Sequence, residues 1–510
     1  MPHPSISAQT HPDKPAIIMA NSGDIVTYRQ LDERSNQGAH LFRSLGLQAG
    51  AHIGMMLENN RQFLEICWAA QRSGLTFTPI STHLKKDEAA YILENCKASL
   101  FIGSLALSEV AEQLAQDRSK IKHFLMVNGT RPGFDSWDKL INTMPTTAIA
   151  DQRHGTPMLY SSGTTGKPKG IFLPPPSEDI NAPSKLVEKA ADAFGFTENT
   201  RYLSPAPLYH AAPLHYNLMT LYQGGTSVIM EKFDPEKALQ LIEQHKITHS
   251  QWVPIMFIRM LKLPAEVRNR YDISSMLFAV HAAAPCPVEV KQQMIDWWGE
   301  VIMEYYSSSE SVGLTFIDSA SWLTHQGSVG QAMDCTLHIL DDDGNELPSG
   351  ETGLVYFEDP KAIKFEYFNA PGKNAEVYND KGWVGVGDIG FVDEEGFLYL
   401  SDRKNFMIIS GGVNIYPQEI ENALALHPRV ADVAVFGIPN EEFGEEVKAV
   451  IQPEHWRDAN NEVAQEILTW LRQRISNVKM PRSLDFQEKL PRMENGKLYK
   501  RLLAEEYKAG

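Results

Sequence analysis

The stretch Tyr160–Gly170 reads YSSGTTGKPKG and contains four serine or threonine hydroxyls, three glycines and two lysines, with no acidic residue. Glycine lets backbone N–H groups approach a ligand closely, and successive exposed N–H groups form a concave anion-binding surface. Serine and threonine add hydroxyl donors, and Lys167 and Lys169 add compact positive charges. The stretch therefore predicts a loop that binds a polyphosphate.

The spacing of this loop differs from a Walker A loop, which requires G-x-x-x-x-G-K followed by Ser or Thr. Here Gly163 and Gly166 are three positions apart, and Pro168 follows the first lysine. A flexible Gly/Ser linker is the alternative interpretation. The apolar, strand-like runs Pro157–Tyr160 and Gly170–Leu173, which flank the loop tightly, disfavour that alternative.

The composition is that of a globular protein, with 510 residues, 43% hydrophobic and 22% charged. The net charge of −17 argues against general nucleic-acid binding. No apolar run reaches the length of a membrane span, and the N-terminus lacks a signal-peptide pattern. The four cysteines are scattered without metal spacing and indicate reduced thiols. We therefore expect a cytoplasmic protein without an integral membrane segment.

Strand-like and helix-like runs alternate through the first half of the chain, which predicts βαβ units and a parallel, doubly wound sheet. Thr27 and Gln30 form a capping box at the start of an early helix. Expected strands are 52–57, 75–80, 99–102, 226–230, 248–253 and 276–280. Expected helices are 62–73, 86–95, 186–194, 214–222, 235–244 and 288–298.

The pattern changes near Ser328 to short strands separated by turns, which predicts a β-rich subdomain over about 328–401. Asp341–Gly344 and Asp393–Gly396 have turn sequences typical of hairpins. A further unit follows, with helices expected at 417–426 and 461–475 and strands at 430–436 and 484–487. Its length is sufficient for an α+β core of its own.

The phosphate loop and four later motifs together resemble the AMP-forming acyl-CoA synthetases, a branch of the acyl-adenylate-forming superfamily. These motifs are EYYSSSE (Glu304–Glu310), GWVGVGD (Gly382–Asp388), SDRKNFMIISGGVNIYP (Ser401–Pro417) and PRMENGKLYKR (Pro491–Arg501). The resemblance implies an α/β fold with a large N-terminal domain of two packed αβ layers plus a β-barrel, over residues 1–401. A hinge at 402–405 and a small mobile α+β C-terminal domain at 406–510 would follow.

The resemblance also implies a reaction in which a carboxylic acid, ATP and coenzyme A are substrates and Mg²⁺ is the cofactor. Attack of the carboxylate on ATP would give an acyl-adenylate and pyrophosphate, and coenzyme A would then form a thioester. No protein nucleophile is needed, so catalysis should depend on positioning and charge neutralisation. No nucleic-acid partner is implied, and a homodimer stays open as an alternative to a monomer.

The residues that the resemblance assigns to the nucleotide lie in these motifs. The phosphates would be bound by Ser161, Ser162, Gly163, Thr164, Thr165, Gly166, Lys167, Lys169 and Ser309. Adenine would stack on Tyr306 and lie along Ala283, Ala284 and Pro285, the ribose would contact Asp388 and Arg403, and Glu310 would hold Mg²⁺. Lys497 would bridge the carboxylate and the α-phosphate.

The same resemblance assigns the remaining roles. Asn405 would be the hinge, and Gly411 and Gly412 would line the coenzyme A tunnel, with a plain strand turn as the alternative. His210 would lie near the reacting acid, with a merely packed histidine as the alternative. The acyl pocket would be lined by His210, Trp252, His281 and Tyr305.

The sequence departs from the family pattern beside the ligand rather than among the reactive groups. Tyr305, Ala282 and Ala283 stand where glycine is usual, and Val386 replaces a threonine. The run Leu173–Pro176 follows the phosphate loop where Thr-His is common. The largely apolar pocket favours a hydrophobic acid, either a fatty acid or a bulky cyclic or sterol side-chain acid. Open alternatives are an aryl- or cinnamate-type CoA ligase, a free-standing enzyme that loads a carrier protein, and a nucleotide-sensing module without turnover.

Overall fold

The computed structural model of the protein describes residues 3–508, except for some internal segments. These segments are residues 117–120, 162–167, 176, 182–187, 189–190, 309, 311–312, 362–363, 371, 373–376, 404–405, 441 and 493–497. The phosphate-loop residues 162–167, together with Ser309, Asn405 and Lys497, therefore lie outside the described residues. Residues 186, 187, 189 and 190 of the helix expected at 186–194 do so too, whereas 188 and 191–193 are helical as predicted.

The described helices are α1 (Pro4–Thr10), α2 (Tyr28–Ser44), α3 (Arg61–Arg72), α4 (Lys86–Asn95), α5 (Ser108–Ala115), α6 (Trp137–Ile141), α7 (Ala211–Tyr222), α8 (Pro235–His245), α9 (Pro254–Leu261), α10 (Ala265–Arg268), α11 (Val288–Trp298), α12 (Ser319–Thr324), α13 (Pro417–Leu424), α14 (Asn461–Arg472) and α15 (Lys500–Lys508). Short 3₁₀ helices occupy Leu105–Leu107, Trp456–Asp458 and Asn477–Lys479.

The described strands are β1 (Pro15–Met19), β2 (Ile25–Thr27), β3 (His52–Met56), β4 (Thr76–Pro79), β5 (Leu100–Ser104), β6 (His123–Val127), β7 (Asp135–Ser136), β8 (Thr156–Pro157), β9 (Leu159–Tyr160), β10 (Gly170–Phe172), β11 (Arg201–Ser204), β12 (Thr226–Ile229), β13 (His249–Trp252), β14 (Phe278–His281), β15 (Ile302–Tyr306), β16 (Thr315–Ile317), β17 (Gln331–Ala332), β18 (Thr336–Leu340), β19 (Gly353–Glu358), β20 (Glu366–Tyr367), β21 (Asp388–Val392), β22 (Leu398–Arg403), β23 (Ile408–Ser410), β24 (Val413–Ile415), β25 (Val430–Asn440), β26 (Gly444–Pro453) and β27 (Ser483–Phe486).

Local sequence signals account for where several of these elements begin and approach one another. The Thr27 hydroxyl accepts from the Gln30 N–H at 3.3 Å and the Gln30 side chain accepts from the Thr27 N–H at 2.9 Å, so the predicted capping box is confirmed. A Cβ added to Gly38 of α2 would lie 2.7 Å from the Cβ of Ala69 on α3. Glycine is therefore required for the close packing of these two helices.

The chain forms two compact units, the first of which comprises residues 1–252, 263–279 and 363–375. It contains a parallel six-stranded sheet in the order β7-β6-β5-β3-β4-β8. The strands β13-β11-β12-β1-β2 lie side by side, with antiparallel pairing between β1 and β2. A short antiparallel sheet has the order β20-β10-β9. The expected alternation of strands and helices is thus confirmed in this unit.

The second unit comprises residues 253–262, 280–362 and 376–510. The strands β15, β16 and β17 are antiparallel neighbours, and β18-β19-β21-β22 form an antiparallel sheet in the region predicted to be β-rich. The Asp393–Gly396 turn joins β21 to β22 as predicted. Asp341–Gly344 also forms a turn, in which the Gly344 N–H donates to the Asp341 carbonyl. The strand that pairs with β18 along its whole length is β19, which begins nine residues after this turn, at Gly353.

The last part of the second unit has a sheet in the order β24-β23-β26-β25, and β27 runs parallel to β26. Its apolar core joins β25 and β26 to the helices α13 and α14, with Ile420, Leu424, Ile467 and Leu471 fully buried. This arrangement agrees with the α+β character expected there, while the domain boundaries stay a prediction. Among the described residues, no helix is long and apolar enough to cross a membrane.

Candidate active site

The two ends of the predicted phosphate loop are held together by strand pairing in the first unit. Tyr160 at the end of β9 lies opposite Gly170 at the start of β10. One residue inward, the Ser161 N–H donates to the Lys169 carbonyl at 2.9 Å, and the Lys169 N–H donates to the Ser161 hydroxyl at 3.1 Å. The structure thus brings Ser161 and Lys169 together and fixes the path by which the chain leaves and re-enters the sheet.

A side-chain anchor connects this pairing to the end of α4. The Tyr160 hydroxyl donates to the Asn95 side chain at 2.6 Å, and the Asn369 amide donates to the Asn95 carbonyl at 2.7 Å. A Cβ added to Gly170 would lie 2.9 Å from the Tyr160 ring, so glycine is the residue that fits beneath this ring. The base of the loop is therefore fixed on both strands.

The second unit brings together two of the residues predicted to bind the nucleoside. The Tyr306 hydroxyl donates to the Asp388 carboxylate at 2.6 Å, although the two residues belong to different sheets. Asp388 is buried and lies opposite Arg403 in the β21–β22 pair, whereas the Arg403 side chain lies outside the described atoms. A fixed aromatic ring beside a carboxylate provides a stacking face for a base and an acceptor for ribose hydroxyls.

The segment that follows β14 contains backbone strain at Ala283, where the resemblance predicts glycine. Ala283 has φ of 73°, in the left-handed region that costs a residue with a Cβ roughly 1–2 kcal/mol. Ala283 and Pro285 are exposed and Ala284 is half-buried, so this turn leaves its backbone accessible. Strain of this kind persists where the surrounding structure fixes it, and it occurs often at ligand sites.

Glu310 is the residue predicted to hold a metal ion. Its carboxylate is half-buried, and its backbone N–H donates to the Ser308 hydroxyl at 3.2 Å. The described part of the chain contains no group of three or more His, Cys, Asp or Glu side chains that could hold a metal ion by themselves. A single carboxylate beside hydroxyl oxygens fits Mg²⁺, which keeps several waters and binds through one or two carboxylates plus substrate phosphates.

Two of the predicted acyl-pocket residues lie in the first unit. Trp252 at the end of β13 is fully buried, and its indole N–H donates to the Ser250 hydroxyl at 2.6 Å. His210 is half-buried at the start of α7, with its ring 4.5 Å from that of Tyr209. Trp252 is therefore part of the packed interior with its polar atom satisfied, whereas the His210 side chain is partly accessible.

The other two predicted pocket residues lie in the second unit, beside a buried ion pair that the sequence did not reveal. Tyr305 is half-buried on β15, next to Glu304. Lys291 of α11 donates to the Glu304 carboxylate at 2.7 Å, and the ring of His281 lies 3.5 Å from the same carboxylate oxygen. Lys291 also lies 4.9 Å from the ring centre of Trp322. A lysine in an amphipathic helix has no local sequence signal that identifies its strand partner.

Burial determines the charge states in this cluster. His281 is fully buried, and desolvation together with the charge of Lys291 holds its pKa well below 6.5, so the imidazole is neutral. Desolvation also raises the pKa of Glu304, against the opposing effect of Lys291, and burial raises the pKa of Tyr305. The cluster of Lys291, Glu304 and His281 therefore contains no unpaired charge.

Two glycines predicted to line the coenzyme A tunnel form the tip of a hairpin. Gly411 and Gly412 join β23 to β24 with φ of 57° and 79°, as a two-residue turn with both angles positive requires. Both are exposed, and the Gly411 N–H donates to the Phe443 carbonyl at 2.8 Å. The turn alone therefore accounts for glycine at both positions. Contact of these glycines with coenzyme A stays a prediction.

Comparison with known proteins gives matches over most of the chain. Residues 5–365 match the family described as AMP-binding enzyme, and residues 419–497 match the AMP-binding enzyme C-terminal domain. A feruloyl-CoA synthase from an Amycolatopsis species is 31% identical over 488 residues, or 95% of this chain and 94% of that protein. A long-chain-fatty-acid–CoA ligase of Mycobacterium tuberculosis is 29% identical over 98% of this chain and 97% of its own length.

Solved structures agree with these matches. The crystal structure of ATP-bound MatB from Rhodopseudomonas palustris is 25% identical, with a TM-score of 0.80 over 99% of both chains. The structure of an anthranilate CoA ligase gives a TM-score of 0.84 over 100% of this chain and 98% of that one. The α/β fold class expected from the sequence is thereby confirmed.

The buried Lys291–Glu304 pair predicts a large loss of stability when one partner is removed. Lys291→Met leaves the Glu304 carboxylate desolvated and unpaired, so the free energy of unfolding should fall by about 3–5 kcal/mol. Lys479→Met, at the partly exposed pair with Glu419, should cost at most about 1 kcal/mol. Chemical denaturation measures both. The double change Lys291→Met/Glu304→Leu should recover most of the loss. Equal losses of stability in Lys291→Met and Lys479→Met would contradict this assignment.

The low pKa of His281 predicts a loss of stability on acidification. Below pH 6.5 the unfolded chain binds a proton at this histidine and the folded chain does not, so the free energy of unfolding falls with pH until the folded pKa is reached. His281→Leu should reduce this slope by up to about 1.4 kcal/mol per pH unit. Denaturation at pH 7.5, 6.5 and 5.5 tests it. The exposed His455→Leu serves as control, and an unchanged slope in His281→Leu would refute the prediction.

Proposed function

The chain belongs to the AMP-binding enzyme family and is an acyl-CoA ligase, and we propose that its substrate is a hydrophobic carboxylic acid. A fatty acid or a bulky cyclic acid, such as a sterol side-chain acid, is the proposed class. The observation that carries the proposal for the acid is the neutral character of the predicted pocket residues. Trp252 and His281 are fully buried, His281 is neutral, and Glu304 beside it is neutralised by Lys291. An ammonium group on the acid would thus have no free carboxylate from this cluster to bind.

The first half-reaction makes the acid reactive. One carboxylate oxygen forms a bond to the α-phosphorus of ATP, and the bond from that phosphorus to the oxygen bridging to the β-phosphorus breaks. Pyrophosphate leaves with the bridging oxygen and its electron pair, and an acyl-adenylate remains. In the transition state, negative charge is carried by the oxygens around the α-phosphorus. Hydrogen-bond donors and cations placed beside these oxygens therefore lower the barrier.

The second half-reaction forms the thioester. The sulfur of coenzyme A bonds to the acyl carbon as a thiolate, its proton having passed to solvent, and the bond from that carbon to the adenylate oxygen breaks. AMP leaves with the oxygen and its electron pair. AMP is a far better leaving group than hydroxide, which explains why activation must precede thioester formation.

We assign the nucleotide contacts on the basis of the motifs. Ser161–Lys169 would bind the β- and γ-phosphates, Tyr306 would stack on adenine, and Asp388 would accept from the ribose hydroxyls. The hydrogen bond from Tyr306 to Asp388 supports this assignment, because it fixes the ring and the carboxylate relative to each other. Lys497 would neutralise the reacting carboxylate and the α-phosphate as a mobile cation on a long side chain.

Glu310 is the residue that would hold Mg²⁺, an ion that binds through one or two carboxylates together with substrate phosphates. When bound, Mg²⁺ supplies positive charge to the phosphate oxygens and orients them. We also propose a cytoplasmic location, which the four free cysteines support. The proposed contacts come from one chain, so they apply equally to a monomer and to a homodimer.

An aryl- or cinnamate-type acid is a second candidate substrate. The similarity to a feruloyl-CoA synthase supports it, as does the aromatic character of Trp252 and Tyr305. A flat aryl acid and a long aliphatic acid bury different shapes in the same pocket. Direct competition between acids therefore distinguishes the two candidates.

An acid panel with ATP, Mg²⁺ and coenzyme A tests the proposal. We expect AMP and pyrophosphate to be released with a hydrophobic acid, at a kcat/KM that rises with buried apolar area. Fatty, sterol-type and cinnamate-type acids compete in one reaction, and amino acids serve as the matched polar control. Formation of ADP and phosphate, or a preference for amino acids, would contradict the proposal.

The proposed role of Lys497 predicts unequal effects on the two half-reactions. Lys497→Ala should lower the rate of adenylation by about 10²–10³-fold, as removal of one transition-state donor does. Thioester formation from a supplied acyl-adenylate should change by less than about 3-fold, since no such charge develops in that step. Single-turnover kinetics measure both steps, with the exposed Lys489→Ala as control. Similar losses in both half-reactions would refute this role.

A further inference from the structure

Lys169, the last lysine of the phosphate-loop motif, lies over an aromatic ring. Its ammonium nitrogen is 4.5 Å from the ring centre of Tyr367, within the range of a cation–π interaction. Lys169 is half-buried and Tyr367 is buried. Tyr367 has no part in the motifs by which the phosphate loop was identified.

The strand register explains this contact. Ile171 of β10 lies opposite Tyr367 of β20, and the pairing continues toward the loop because the Phe368 N–H donates to the Gly170 carbonyl at 2.8 Å. Lys169 is two residues before Ile171, so its side chain leaves the same face of the strand. Tyr367 is then its diagonal neighbour, within reach of a long side chain.

The ring of Tyr367 is held in place by its surroundings. Phe365 packs edge-on against it at 5.2 Å between ring centres. Two residues later, the Asn369 amide donates to the Asn95 carbonyl, which is the same anchor that holds Tyr160. Asn95 therefore holds both the segment that carries the Tyr367 ring and the strand at which the phosphate loop begins.

The electrostatic setting of Lys169 makes this contact informative. Within the described part of the chain, Lys169 forms no ion pair with a carboxylate, although the protein carries a net charge of −17. A carboxylate partner would have to be displaced before the lysine could bind a phosphate. An aromatic face holds the cation in place, but leaves its full charge available to an anion of higher charge density.

We propose that Tyr367 is a positioning residue, which holds Lys169 on its ring so that the ammonium group is ready to bind the phosphates of the nucleotide. The proposal rests on the proposed function, in which Ser161–Lys169 binds the β- and γ-phosphates. Tyr367 does not touch the reacting atoms. Its effect therefore belongs to the binding of ATP, and of pyrophosphate in the reverse direction, rather than to thioester formation.

A series of aromatic replacements tests the cation–π contact with little change of shape. Tyr367→Phe keeps an aromatic face, so the KM for ATP should stay within about 2-fold of the original value. Substitution of Tyr367 by phenylalanine with one, two and three ring fluorines weakens the negative face stepwise. The KM for ATP should then rise with each fluorine, to about 2- to 30-fold in total. A KM that does not change along the series would overturn the proposal.

A double-mutant cycle identifies Lys169 as the group through which Tyr367 acts. Tyr367→Leu should raise the KM for ATP, whereas the same change in a Lys169→Met background should have no further effect. Equal effects in both backgrounds would indicate a merely structural role and overturn the proposal. Thermal unfolding verifies that the variants fold, and if Tyr367→Leu does not fold, the cycle uses the trifluorinated ring instead.

The same measurements separate failure of this inference from failure of the proposed function. Acid-dependent exchange of pyrophosphate into ATP by the unmodified enzyme shows that adenylation occurs. If this exchange is absent for every acid, the proposed function fails and the inference falls with it. If the exchange is present but the cycle shows no coupling, only the role of Tyr367 is refuted.

Discussion

The pairing of Tyr160 with Gly170 is the constraint on which the candidate site depends most. The β9–β10 pair brings the two ends of the loop together, and two hydrogen bonds between Ser161 and Lys169 extend this pairing by one residue. The Tyr160 hydroxyl then anchors the pair to Asn95. The requirement for glycine at position 170, beneath the Tyr160 ring, follows from this geometry.

Two lysines illustrate how the protein uses positive charge despite its net charge of −17. Lys291 is buried and its charge is compensated by the Glu304 carboxylate, to which it donates a hydrogen bond. The neighbouring His281 is neutral. Lys169 is half-buried and lies on an aromatic ring, which keeps its charge available. One arrangement suits a pocket for a hydrophobic acid and the other suits a site for phosphate. The difference lies in the partner, since the lysine side chains are chemically identical.

Features encoded locally could be predicted from the sequence. The capping box at Thr27, the helix Lys86–Asn95 and the helix Val288–Trp298 depend on neighbouring residues, and the structure has them where the pattern indicated. Motif positions also indicated Tyr306 and Asp388, which the structure joins by a hydrogen bond. The contacts of Lys291 with Glu304 and of Lys169 with Tyr367 could not be predicted, because they depend on tertiary packing and on strand register between distant segments. The roles of residues 162–167, Lys497 and Asn405 stay predictions.

Oxygen labelling tests whether a carboxylate oxygen of the acid attacks the α-phosphorus of ATP, as the proposed reaction requires. A hydrophobic acid carrying ¹⁸O in both carboxylate positions is converted to its thioester, and the AMP and the thioester are analysed by mass spectrometry. Adenylation predicts one ¹⁸O in each AMP and one in each thioester carbonyl. AMP without label, or label recovered in inorganic phosphate, would contradict adenylation of the acid.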